Sequence, residues 1–154
     1  MTKLLLSLHV IAAILAVGPV TVAASMYPAA VRRARADAET DAGAGTVRLL
    51  HRICRVYAGV GLAVPLFGFG TASAMGVLGD AWLIASITLT AAAAGVLAVL
   101  VLPRQDELLE AVDAGQPVER AHTAQLAMLT GLFNLLWATV TVLMIVRPGS
   151  TTGA

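Results

Sequence analysis

Four uninterrupted apolar stretches divide the chain, from about Leu4 to Met26, Val56 to Val77, Ala81 to Leu102 and Ala124 to Val146, and none contains a Lys, Arg, Asp or Glu. Crossing about 30 Å of hydrocarbon at 1.5 Å per residue takes about 20 residues, and a helix satisfies its own backbone groups there. The pattern predicts an all-α fold: an integral membrane four-helix bundle, one domain over residues 1–154. Small residues recur at helical spacing within each stretch and should mark the faces that meet. They are His9, Ala12, Ala16, Pro19 and Ala23 in the first span, and His51, Cys54, Ala58, Gly61, Pro65, Gly68 and Ala72 in the second. The third offers Ser86, Thr90, Ala94 and Ala98, and the fourth Ala127, Gly131, Asn134, Ala138 and Thr141. Gly18-Pro19 and Pro65 are expected to kink their helices, because each Pro removes one i to i−4 hydrogen bond.

The polar connections set an orientation. Arg32, Arg33, Arg35, Arg48, Arg52 and Arg55 flank the first connection and Arg104 and Arg120 the third, leaving only Lys3 and Arg147 at the opposite end. The positive-inside rule then puts both long connections in the cytoplasm and both termini outside, with Tyr27 and Tyr57 at the inner interface and Trp82 at the outer one. Lys3 followed by an apolar run ending in Ala23-Ala24-Ser25 also has the outline of a signal peptide. The length of the run and the Arg32-Arg33-Ala34-Arg35 flank read better as a first span.

The first connection, with Asp37, Glu39, Asp41, Gly43 and Gly45, reads as a solvated linker. The third contains Asp106 to Gly115, with acids in its first turn and a Gly at its end, the outline of a short helix. Leu108, Leu109 and Val112 give that helix an apolar face, for the inner membrane surface or, since acids outnumber bases here, for a partner protein or solvent.

Composition narrows function mainly by exclusion. The 154 residues are 58% hydrophobic and 12% charged, against about 25% charged in soluble domains, and 10 basic residues nearly cancel 9 acidic ones. A near-neutral chain is a poor nucleic-acid binder, and 1 Cys with 3 His excludes a disulfide framework or a multi-Cys zinc module. No span carries the carboxylate that a proton-coupled exporter would need. The expected partners are the lipid bilayer and a membrane protein, either another copy or a different chain.

Five polar features remain to be weighed. His9 lies on the first seam, where neutral imidazole can hydrogen-bond a hydroxyl such as Ser86 or Thr141, relay a proton or ligate haem iron. His51 sits among Arg48, Arg52 and Arg55, a group suited to haem propionates, a lipid headgroup or simple anchoring at the interface. His122 falls off its seam and should be interfacial. Asn134 can bond across helices, alone or with Trp137 as a polar ledge, and Cys54 reads as an inert buried thiol.

The opening Leu4-Leu5-Leu6-Ser7-Leu8-His9-Val10-Ile11-Ala12-Ala13-Ile14-Leu15-Ala16-Val17-Gly18-Pro19 resembles the start of a group of small bacterial four-helix membrane proteins. In that group a first-span His is followed about nine residues later by a Gly. The group includes the membrane protoporphyrinogen oxidase, the copper-resistance membrane domain and predicted integral membrane proteins of unassigned function. By its length and Arg-rich first connection this chain looks most like the last. The oxidase pairs its first-span His, which would be His9 here, with a Lys in the third span; Ala81 to Leu102 contains none, and the Met and His residues do not cluster for copper. Taken with the residues, this leads to the expectation of a non-enzymatic bacterial plasma-membrane protein acting as an accessory or interaction subunit, with a haem-binding or redox role through His9 as the alternative and His51 as a further candidate for a haem group.

Overall fold

The computed structural model describes residues 1–36 and 41–150. Its helices are α1 (Thr2–Ala36), α2 (Asp41–Val60), α3 (Ala63–Met75), α4 (Ala81–Gly95), α5 (Leu102–Asp113) and α6 (Arg120–Val146), with a π-helical turn at Val96–Val101 joining α4 to α5. Four helical rods result, each long and apolar enough to cross a membrane: Thr2–Ala36, Ala42–Met75, Ala81–Asp113 and Arg120–Val146. They run up and down, so both ends of the described chain lie opposite the Arg-rich end. Leu66 (71% exposed) and Ile145 (75% exposed) typify an outer surface of Leu, Ile, Val and Met that suits lipid tails.

Three rods outrun the apolar stretches from which they were expected. At 35 residues, α1 measures about 52 Å at 1.5 Å per residue, well beyond the hydrocarbon thickness. The helix continues because Ala29, Ala30, Arg32, Arg33, Ala34 and Arg35 are good helix formers, although they end the apolar pattern. The same holds where α2 begins at Asp41, so most of the expected solvated linker is helix. Asp37 and Glu39 lie outside the described residues.

The expected short helix at Asp106 to Gly115 is present, but it is the end of the third rod rather than a separate surface element. Leu108 is buried in the main core, and Leu109 and Val112 pack against that core instead of meeting membrane or solvent. Gly115, at φ +66°, ends it in the left-handed region that glycine occupies freely.

Proline acts differently in the two spans that were expected to kink. The second rod breaks at Gly61-Leu62, one turn before Pro65, as expected for a helix that loses the Pro65 N–H. The Gly61 carbonyl takes the Val64 N–H instead, at 3.1 Å. In contrast, α1 runs unbroken through Pro19 and Pro28.

Of the expected seams, the second holds best: His51, Cys54 and Ala72 are buried, though Pro65 is exposed. In the first, Ala16 and Ala23 are buried with Val20, Ala24 and Tyr27. The third is displaced, since Ala94 and Ala98 are exposed while Ser86, Ala93, Leu97 and Val101 face inward. Steps of four drift around a 3.6-residue helix, and the wider i to i+5 turn at Val96–Val101 absorbs that drift. The fourth is displaced too. Ala127, Gly131, Ala138 and Thr141 are exposed, and Thr123, Leu126, Thr130, Phe133 and Val140 form the buried line. Large Leu126 and Phe133 share a core with the small Ala23 and Ala24 of α1, so a seam of small residues is met by a ridge of large ones.

Gly43 marks a close backbone approach between α1 and α2. A Cβ built on Gly43 would stand 2.7 Å from Ala34 Cα, closer than real side chains come. Gly43→Ala should therefore force these helices apart and cost about 1–3 kcal/mol, the usual cost of overpacking, read as a lower unfolding midpoint in detergent. An unchanged midpoint would show that the crossing is loose.

Candidate functional site

A polar cluster occupies the Arg-rich end, where α1, α2 and α5 meet. On α2 the spacing of Arg48, His51 and Arg55 puts all three on one face, with Cys54 beside them. On α5, Asp106 and Asp113 lie seven residues apart, again one face. The two helices are antiparallel, and their charges pair in register. Arg48 Nη2 donates to Asp113 Oδ1 at 2.7 Å, His51 Nε2 meets Asp106 Oδ1 at 2.8 Å, and Arg55 Nη1 reaches the same oxygen at 3.6 Å. Seven residues along α2 match seven back along α5, about 10 Å on each rod.

Gln105 sits beneath these pairs, fully buried. Its Oε1 lies 3.2 Å from His51 Nδ1, and its Nε2 donates to Cys54 Sγ at 3.5 Å. Its backbone carbonyl accepts a 2.7 Å hydrogen bond from the Tyr27 hydroxyl. Tyr27 also sets its ring edge toward the His51 imidazole, 6.4 Å between centroids. One residue thus joins three helices. With both His51 nitrogens facing oxygen acceptors, only a ring carrying two protons donates both bonds at once.

His51 lies at the Arg-rich end on one face with Arg48 and Arg55. It is buried and bonded to Gln105 and Asp106, whereas Arg48 and Arg55 engage the acids of α5. Tyr27 is not an interfacial anchor; it is wholly buried, with its hydroxyl in the cluster. Tyr27, Gln105 and Asp106 were missed as site residues. A signal existed in the excess of acids in the third connection facing the excess of bases in the first, but only an antiparallel register turns it into pairs.

His9 lies toward the other end and is half-buried. Its Nδ1 stands 2.9 Å from the Val64 carbonyl of α3, not from Ser86 or Thr141. A carbonyl only accepts, so Nδ1 carries a proton; in the neutral ring the lone pair is then on Nε2, which has no hydrogen-bond partner among the described residues. Gly68 makes room for the ring, since a Cβ there would come within 3.0 Å of His9 Cε1. Ser86 and Thr141 instead donate back to Trp82 and Trp137 of their own helices.

Between these levels, Asn134 Nδ2 donates to Ser25 Oγ at 3.2 Å and ties α6 to α1, as the simpler expectation had it. Thr130 Oγ1 and Asn134 Oδ1, one turn apart, are buried without a partner. Trp82 near the termini is buried, gives its indole N–H to Asp80 Oδ2 at 3.0 Å and lies under the Arg147 guanidinium. His122 is exposed. Among the described residues no three His, Cys, Asp or Glu side chains are grouped to hold a metal ion.

Four apolar rods, lipid-suited outer faces and sparse polar ties define a small four-span integral membrane protein. The family model described as "Predicted integral membrane protein (DUF2269)" matches residues 3–148, and the chain belongs to that family. No curated protein and no solved structure matches it.

A double-mutant cycle tests the cluster. His51→Ala and Gln105→Ala should each lower stability, with a coupling energy of about 0.6–1.7 kcal/mol, the range for hydrogen bonds inside membrane bundles. Additive losses would mean that the two side chains do not interact.

Proposed function

We propose that this protein is a non-catalytic accessory or interaction subunit of a bacterial plasma membrane. Its Arg-rich end faces the cytoplasm and its termini face outward, a reading supported by the eight basic residues that flank its first and third connections. The observation that carries the proposal is the helical extension at that end. The rods α1, α2 and α5 continue past the apolar stretches as ordered helices, held to one another by Tyr27, His51, Gln105 and the paired charges. A partner meets a rigid, charged platform there and forgoes the entropy cost of ordering a loop.

A photo-reactive residue in place of Arg52 or Glu110 should form one discrete adduct in native membranes. The same residue in place of lipid-facing Leu66 should form none. Adducts of equal yield at all three positions, or none anywhere, would contradict the reading.

A haem-binding or redox role is the second reading, and one observation favours it at His9. Imidazoles that bind metals usually donate the other ring N–H to a carbonyl or carboxylate, and His9 does so to Val64 while Nε2 is unpartnered. His51 would first have to release Gln105 or Asp106. The absorption spectrum of protein purified from haem-replete cells separates the two. The subunit reading expects no Soret band, and a cost of about 0.6 kcal/mol for His9→Ala. A Soret band that vanishes in His9→Ala would establish the second reading.

A further inference from the structure

The groove between α1 and α6 at the Arg-rich end has no part in the clasp described above. One recess of about 360 Å³ is lined by Arg32, Arg120, Thr123 and Ala124. A second, of about 260 Å³, shares Arg32, Arg120 and Thr123 and reaches Val31, Arg35 and Val118. Arg48, Arg55 and Arg104 each have a carboxylate within 4.0 Å; Arg32, Arg35 and Arg120 have no such partner among the described residues. Three arginines thus line one groove, none with a carboxylate within 4.0 Å among the described residues.

The local backbone adds to the positive field. Helix α6 begins at Arg120, and its N-cap residue, Glu119, makes no side-chain capping bond, so the positive end of a 27-residue helix opens beside the guanidiniums. Glu119 is exposed and forms no ion pair among the described residues. Thr123 donates its hydroxyl to the Arg120 carbonyl. Val31, Val118 and Ala124 supply apolar walls.

Depth selects the ligand. On α1 Arg32 is the first charged residue after the apolar stretch, with only Tyr27 to Val31 between; on α6 Arg120 and His122 precede an apolar stretch that starts at Ala124. The groove thus sits where both helices pass from apolar to basic, the level of lipid phosphates. Val22 and Met26 of α1 and Met128 of α6 are exposed in the apolar parts of these two helices, where lipid tails would meet them. We propose that Arg32, Arg35 and Arg120 bind the phosphate of an anionic phospholipid whose acyl chains lie along α1 and α6. Basic pockets between membrane helices take such headgroups, and arginine matches a phosphate with paired N–H donors.

Native mass spectrometry of the full chain in neutral detergent, with added phosphatidylglycerol or phosphatidylcholine, tests the proposal. Wild type should retain phosphatidylglycerol in roughly tenfold or greater preference. Arg32→Gln/Arg120→Gln should lose that preference. Arg33→Gln/Arg52→Gln removes equal charge from exposed residues outside the groove and should keep it, and circular dichroism confirms that both variants fold. An equal loss in both double variants would overturn the site in favour of diffuse surface charge. A wild type without headgroup preference would overturn it outright. If inorganic phosphate raises the unfolding midpoint in an Arg32- and Arg120-dependent way while phosphatidylglycerol is not retained, the lipid assignment is overturned in favour of a soluble anion.

Discussion

Gln105 keeps all of its polar atoms from solvent, and the Arg-rich end of the bundle is built around satisfying them. An amide side chain with no partner at such a position costs about 1–3 kcal/mol, so His51 and Cys54 have to meet it together, while Tyr27 bonds the Gln105 backbone carbonyl. Each comes from a different turn or helix: Tyr27 from α1, and His51 and Cys54 from successive turns of α2. Fixing those three contacts fixes how α1, α2 and α5 sit. The outer ion pairs Arg48–Asp113 and Arg55–Asp106 then follow from register. Half-exposed pairs of this kind contribute about 1 kcal/mol or less each, so they select the alignment more than they hold it.

The π-helical turn at Val96–Val101 belongs to the same constraint. It lies between the lipid-embedded α4 and the charged α5 and keeps Ala93, Leu97, Val101, Gln105 and Leu108 on one inward line. Without it, steps of four residues would carry Gln105 around the rod and away from α2. Hydrogen bonds toward the other end are fewer. His9 to Val64 and Ser25 to Asn134 each bind one helix to α1 by a single bond, and close packing of Leu126 and Phe133 against alanines supplies the rest. The molecule is thus tied firmly at one end and more lightly along its spans.

The four spans and the apolar outer surface were legible in the sequence because hydrocarbon imposes length and excludes charge. So was the break before Pro65, where a missing N–H leaves Gly61 to find another donor. What the apolar pattern hid was the continuation of the helices beyond it, since hydropathy reports the solvent and not the backbone. Seam prediction failed on α6 for a related reason. Small residues on one helix leave room for large ones on its neighbour, and here Ala23 and Ala24 of α1 supply the room that Leu126 and Phe133 of α6 fill. At the candidate site, His9 was legible as a polar residue in an apolar span and His51 as a seam residue among arginines, but their partners were not. Val64 offers a backbone carbonyl, which no side-chain pattern reveals, and Gln105 and Asp106 become partners of His51 only through the α2–α5 register.

Hydrogen exchange along residues 102–113 tests most directly whether this segment is a clasped continuation of the third rod. Backbone amides there should exchange slowly in the wild type, with protection comparable to that of the apolar stretch of α4, and faster once Gln105 is replaced by Ala. Exchange at the rate of an unstructured chain in the wild type would mean that α5 is a solvated connection, and that neither the Gln105 cluster nor the paired charges hold this end together.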